Sequence, residues 1–231
     1  MLGAAVPAFA APLEGDALAA RVASVIGEET KGVLGTTTDT TQRINAPIFG
    51  GTTKIRRYVV FHDGIPVAAG ILSVEKNGKP EPPDAVARLS AETDAKVKAG
   101  TGFIHQPYIP KFVHEYRFAN VPCESCAAGE TALRFESDHR DAQHVSGTMI
   151  VDALERPVRV TTRPYVFPKP ANDGEAVTTF GNQLDGKRLP AEVHGVYRGR
   201  QGLISGSMTF DDRSVFRRFG GVDEAVAALS R

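Results

Sequence analysis

The chain has 231 residues, a length that suits one large β domain as well as two small ones and is enough to bury a real core. Its 27 Lys plus Arg balance its 27 Asp plus Glu, tryptophan is absent and aromatics are few, which argues against both a nucleic-acid footprint and a stacking platform for single strands. No uncharged apolar run reaches the roughly 18 residues a membrane helix needs.

Residues 1–11, MLGAAVPAFAA, are small and apolar and contain Ala8-Phe9-Ala10, an A-x-A pattern of the signal-peptidase kind. They read as the tail of an export signal; the alternative is an ordinary Ala-rich terminus. With no cysteine near this site, a soluble exported protein is expected rather than a lipid-anchored one, with residues 12–231 as a single domain. Leu13 to Glu29 then reads as a helix, with Leu13, Ala17, Ala20, Val22, Val25 and Ile26 near three and four spacing, ended by Gly32.

Val33 to Gly51 is rich in Thr and Gly with poor apolar alternation, which predicts an exposed or edge strand and a loop through Pro47 and Gly50-Gly51. A hairpin follows. Lys54 to His62 turns at Asp63-Gly64 into Ile65 to Glu75, which ends at Asn77-Gly78. After Lys79-Pro-Glu-Pro-Pro, Asp84 to Lys98 reads as an inserted helix capped by Asp84, with Val86, Leu89, Thr93 and Val97 as its packing face. Such a helix suggests a cover or lid.

Phe112 to Asn120 reads as a strand with Phe112, His114, Tyr116 and Phe118 on one face, and Thr131 to Asp138 as another with Leu133 and Phe135. From about Arg140 to Asp211, period-two segments follow one another with little but turns between them. Val145, Gly147, Met149 and Val151 alternate with polar residues; so do Val158, Val160 and Thr162, then Leu189, Ala191, Val193 and Tyr197, then Ile204, Met208 and Phe210. This pattern predicts an antiparallel meander with one buried face. A short helix, Asp223 to Leu229, ends the chain.

HVSGTMIVDALERPVRVTTR (144–163) and FGNQLDGKRLPAEVHGVYRGRQGLISGSMTF (180–210), together with the element order, resemble the outer-membrane lipoprotein carrier (LolA/LolB-like) superfamily. The likeness implies an α+β, β-rich fold: a strongly curved antiparallel sheet, an incomplete barrel, with helices covering the concave face. It also implies a periplasmic, non-enzymatic carrier or sensor of a lipid, a lipoprotein acyl chain or another hydrophobic ligand, working without a cofactor. Ligand contacts in that superfamily spread over the inward face. Alternation assigns that face here to Tyr116, Phe118, Leu133, Phe135, Met149, Val151, Val158, Val160, Val193, Tyr197, Met208 and Phe210, with Arg57 as a head-group contact. The small residues Ala68, Gly70, Gly147, Ala191 and Gly195 fit either a residual cavity or strand curvature. The Thr-rich segment and the C-x-x-C are departures from the superfamily.

Cys123 and Cys126 form that C-x-x-C. In an exported chain the expected reading is a local disulfide. A thioredoxin-like site would want a helix N-terminus after the motif, and zinc would need two more ligands, for which His114, His139 and His144 flank the pair. His139 and His144 lie among Asp138 and Asp141 in DHRDAQH, which reads as a polar turn, with metal or acid–base chemistry as the alternative. No G-x-S-x-G, H-E-x-x-H or Walker loop is present, so no catalytic residue is assigned. Two other functions fit the pattern: an envelope protein-interaction module using a strand edge or the 35–41 segment, and a metal-dependent hydrolase.

Overall fold

In a computed structural model, residues 14–47, 50–201 and 204–231 of the protein are described. The export-signal reading of 1–11, and Leu13, fall outside them. The elements in order are α1 (Gly15–Glu29), β1 (Val33–Asn45), β2 (Gly51–His62), β3 (Ile65–Lys76), β4 (Lys79–Pro80) and α2 (Pro83–Lys98). After a single 3-10 turn at Val113–Glu115 come β5 (Tyr116–Val121), β6 (Thr131–Ser137), β7 (Val145–Val151), β8 (Pro157–Pro164) and β9 (Ala171–Asn182). β10 (Arg188–Gln201), β11 (Ile204–Phe219) and α3 (Val222–Leu229) complete the chain. No helix among the described residues is long and apolar enough to cross a membrane.

Among the described residues the 11 strands form one sheet in the order β4-β3-β2-β1-β11-β10-β9-β8-β7-β6-β5, and every neighbouring pair is antiparallel. The ends, β4 and β5, do not meet. The architecture is a curved, incomplete barrel, as the resemblance implied. Two meanders are joined by one long-range pairing, β1 with β11, from Val33↔Phe219 to Asn45↔Ser207. The hairpin turns follow their sequence signals: Asp63 and Gly64 (φ 51 and 78) and Asn77 and Gly78 (φ 49 and 79) supply the two positive φ angles of a type I′ turn.

Several expectations are corrected. The Thr-rich strand is neither exposed nor at an edge, because β1 lies between β2 and β11 with Thr36, Thr38 and Thr40 each no more than 5% exposed. Two of the three hydroxyls find local partners: Thr36 Oγ1 donates to Val215 O at 3.1 Å and Thr38 Oγ1 lies 2.9 Å from Ser214 Oγ. A branched residue with a satisfied hydroxyl fills a central strand as well as an aliphatic one does. In α1 the buried stripe is Ala19, Val22, Ala23 and Ile26, while Ala17 and Ala20 face solvent. α2 starts one residue earlier, with Pro82 at the cap and Pro83 in the first turn, and Asp84 is its first-turn acid rather than its cap. Leu89 is 37% exposed. Phe112 and His114 precede β5, in and beside the 3-10 turn. β9 has no counterpart among the period-two segments picked out in the sequence.

Both ends of the sheet are closed by helix side chains. β4 covers only Glu75 and Lys76 of β3. Beyond it, Ser90 Oγ of α2 accepts from Ile71 N at 2.9 Å and Asp94 Oδ1 accepts from Ala69 N at 3.1 Å. At the other end, Asp16 Oδ1 of α1 accepts from Phe118 N at 2.7 Å. These donors would otherwise be free to pair with another chain.

Two cores result. The larger joins Ala19, Val22 and Ile26 of α1 to Tyr116, Phe118, Leu133, Phe135, Val145, Met149, Val151, Val160 and Phe180, with Tyr108, Ile109 and Phe112 from the segment before β5. The smaller lies on the opposite face, where Ala225 and Leu229 of α3 pack on Val33, Tyr58, Val60 and Ala68.

A covered cavity on the concave face

The period of two along β1 places Leu34, Thr36 and Thr38 on the face away from α3, and register sets their neighbours. Thr36 pairs with Val59 and Phe216, and Thr38 with Arg57 and Ser214. These rows form the floor of a cavity of about 450 Å³. Thr178, Phe180, Leu189 and Val193 continue the floor onto β9 and β10. The roof is made by Ile26 and Thr30 at the end of α1, Thr93 and Val97 of α2, and Phe103, Ile104, Tyr108, Ile109 and Phe112 of the connecting segment. Most of these residues are apolar, and the volume lies in the range of small-molecule sites, roughly 300–1,000 Å³.

The charged groups of the lining, Arg57 and Asp212, lie on the floor. Arg57 Nη2 donates to Asp212 Oδ2 at 2.7 Å, and the Asp212 side chain is only 10% exposed. The second oxygen, Asp212 Oδ1, and Oγ1 of its register partner Thr40 are buried without a hydrogen-bond partner. In the roof, Tyr108 stands edge-on to Phe180 at 5.2 Å. Burial pushes its phenol well above the ordinary range, so the hydroxyl stays neutral.

The structure distributes the expected ligand face over three places. Tyr116, Phe118, Leu133, Phe135, Met149, Val151 and Val160 lie together in the larger core, packed by α1. Val193 and Arg57 line the cavity. Tyr197 and Met208 line a separate hollow of about 210 Å³ with Ile44, Pro168 and Pro170, and the Phe210 ring lies tilted against Tyr197 at 5.5 Å. Val158 is the unpaired residue of a bulge between Ile150 and Val151 of β7. The small inward residues do not make the cavity. A Cβ at Gly195 would meet the Phe210 ring at 2.1 Å, and one at Gly147 would meet Thr161 O at 1.8 Å. They admit neighbouring groups instead.

Sequence reasoning passed over most of the roof. Phe103, Ile104, Tyr108 and Ile109 belong to GFIHQPYIP, an apolar and aromatic run punctuated by Gly and Pro with neither a helical nor a strand period. That composition was the available signal. The cysteines are joined, with a Cys123–Cys126 disulfide in the loop between β5 and β6, so neither thiol is free for metal or redox work. His144 turns away from that loop: its Nδ1 lies 2.7 Å from Asp141 Oδ1, and His139 stacks on it at 4.8 Å.

No family model matches the chain, and none of the curated proteins matches it. Among solved structures it is similar to a DUF1329 family protein from Desulfovibrio piger, with a TM-score of 0.48 and 11% identity over 94% of this chain and 100% of that one. It is also similar to a protein described as an outer membrane lipoprotein-sorting domain from Vibrio parahaemolyticus, with a TM-score of 0.46 and 13% identity over 92% of this chain and 98% of that one. A third is a LolA superfamily protein from Nitrosomonas europaea, at 0.40 and 10% identity over 92% of this chain and 96% of that one.

Proposed function

We propose that this chain is a non-enzymatic carrier or sensor of the periplasm that holds a lipid, an acyl chain or another hydrophobic ligand in the covered cavity. The observation that carries this reading is the cavity itself: about 450 Å³, roofed by aliphatic and aromatic side chains and floored by a sheet face with a few polar groups. An acyl chain entering it gains roughly 0.8 kcal/mol for each methylene withdrawn from water. A polar head group finds Arg57, Ser214 and Thr38 on the floor. Arg57 is already neutralised by Asp212, so the floor suits a hydrogen-bonding head such as an ester or amide better than a bare carboxylate.

Release requires the roof to move. Its 102–112 segment is tied to the sheet by few bonds, among them His105 N to Gln143 O at 2.8 Å. The surfaces expected for an interaction module are partly occupied, which favours the cavity reading. The 35–41 segment is central in the sheet, and the outer edges of β3 and β5 are bonded to α2 and α1. The test is extraction and mass analysis of whatever co-purifies with the chain, repeated on Val193→Asp. An acyl-containing molecule held by the wild type and lost from the folded variant supports the carrier; equal retention by both removes the cavity from the account.

A further inference from the structure

Beyond the cavity, three polar side chains from separate parts of the chain converge behind its roof. His105 comes from the roof segment, Glu115 from the end of the 3-10 turn, and His144 from the residue before β7. His105 Nδ1 lies 2.7 Å from Glu115 Oε2, and His144 Nε2 lies 2.9 Å from the same oxygen. The three ligand atoms lie within 4.8 Å of one another. We propose that His105, Glu115 and His144 form a binding site for a divalent transition-metal ion of the zinc class.

The residue types are those such an ion takes. Two imidazole nitrogens and one carboxylate oxygen are borderline donors, and three protein ligands leave a position for water or another group. Ligands about 2.0–2.2 Å from a metal stand roughly 3.2–3.5 Å apart. Moving from 2.7 and 2.9 Å to that spacing shifts each histidine by a few tenths of an ångström from Glu115, while the two imidazole nitrogens, as far as 4.8 Å apart, must close toward one another by about 1.3 Å. The surroundings fit as well. Asp141 Oδ1 holds His144 Nδ1 at 2.7 Å, the outer carboxylate–histidine contact that fixes a ligating ring with its other nitrogen inward. His105 is held by stacking on Phe112, with centroids 4.0 Å apart and planes 11° from parallel. Gln143 Nε2 lies 3.2 Å from His105 Nε2 while donating to Gly100 O at 2.6 Å, and this amide is the one neighbour that must turn when Nδ1 ligates.

Access and charge agree with an ion. The side chains of His105 and Glu115 are 17% and 20% exposed, so the cluster has an entrance, and His144 is 7% exposed at its base. The carboxylate of Glu115 lies between the two imidazoles, a negative group facing an incoming cation. An ion here would tie the roof to the sheet, since Phe103, Ile104 and Phe112 line the cavity around His105.

The experiment uses the full chain, stripped with a chelator and titrated with Zn²⁺ alone by calorimetry, with Co²⁺ as a spectroscopic probe of the ligand set. We expect one ion per chain in the wild type. Asp141→Asn weakens binding about 10–100-fold, as outer partners typically do. Glu115→Gln and His144→Asn, checked for native near-ultraviolet dichroism, weaken it further, and His194→Ala leaves it unchanged. If either ligand variant does not fold, a Co²⁺ spectrum of the wild type showing nitrogen–oxygen coordination carries the same information. Absence of saturable one-to-one uptake, or uptake that folded Glu115→Gln and His144→Asn leave unaltered, overturns the site.

Discussion

At the scale of single residues, position relative to the cavity separates side chains of similar chemistry. Met149 and Val193 share an inward face by alternation, yet Met149 is 0% exposed inside the larger core and Val193 is half-buried on the cavity floor. Met149→Ala therefore removes packed volume and lowers stability by about 2–5 kcal/mol in urea unfolding. Val193→Asp sets a second carboxylate opposite Asp212 and lowers stability as well, so retention is read on the folded fraction, where it is abolished. A Met149→Ala protein as stable as the wild type would mean that its site is not packed as described. Alternation along β6, β7 and β8 marks Leu133, Phe135, Val145, Met149 and Val160, all buried, but also Val158, which falls in a bulge and is half-buried. It carried no information on whether α1 or empty space lies opposite them. That depends on which helix face arrives, and in α1 the stripe is Ala19, Val22, Ala23 and Ile26.

At the scale of elements, the helices do more than cover apolar surface. α2 spends two side chains on the backbone of β3, and α1 spends one on β5. Ser90→Ala and Asp94→Ala each remove an acceptor from a strand N–H, at about 0.5–1.5 kcal/mol. Hydrogen exchange at Ile71 and Ala69 should speed up selectively, and exchange unchanged at those two amides would deny α2 its edge-closing role. The disulfide is different in kind. Cys123 and Cys126 are three residues apart, so the bond closes a very short loop and constrains the unfolded chain by no more than about 2 kcal/mol. Reduction should lower the melting temperature only modestly and leave ligand retention intact; loss of the fold on reduction would contradict this. The D-G and N-G hairpins were legible because two residues decide a turn. The central place of β1 was not, since it is set by pairing with β11, some 170 residues away, and Thr satisfies its hydroxyls only once Ser214 and the Val215 carbonyl are adjacent.

At the scale of the whole molecule, an open sheet with helix side chains bonded to both its ends leaves a covered region unfilled among the described residues. The larger core is packed by α1, the opposite face by α3, and between the Thr-rich floor and the 102–112 roof lies the cavity. The account stands on that space being held for an apolar guest. Native mass spectrometry of the freshly purified chain, followed by organic extraction, tests this most directly. The account predicts a reproducible added mass that solvent releases as an acyl-containing molecule, and that Val193→Asp no longer carries. A bare polypeptide mass, together with no uptake of a fluorescent fatty-acyl probe by the full chain, would contradict it.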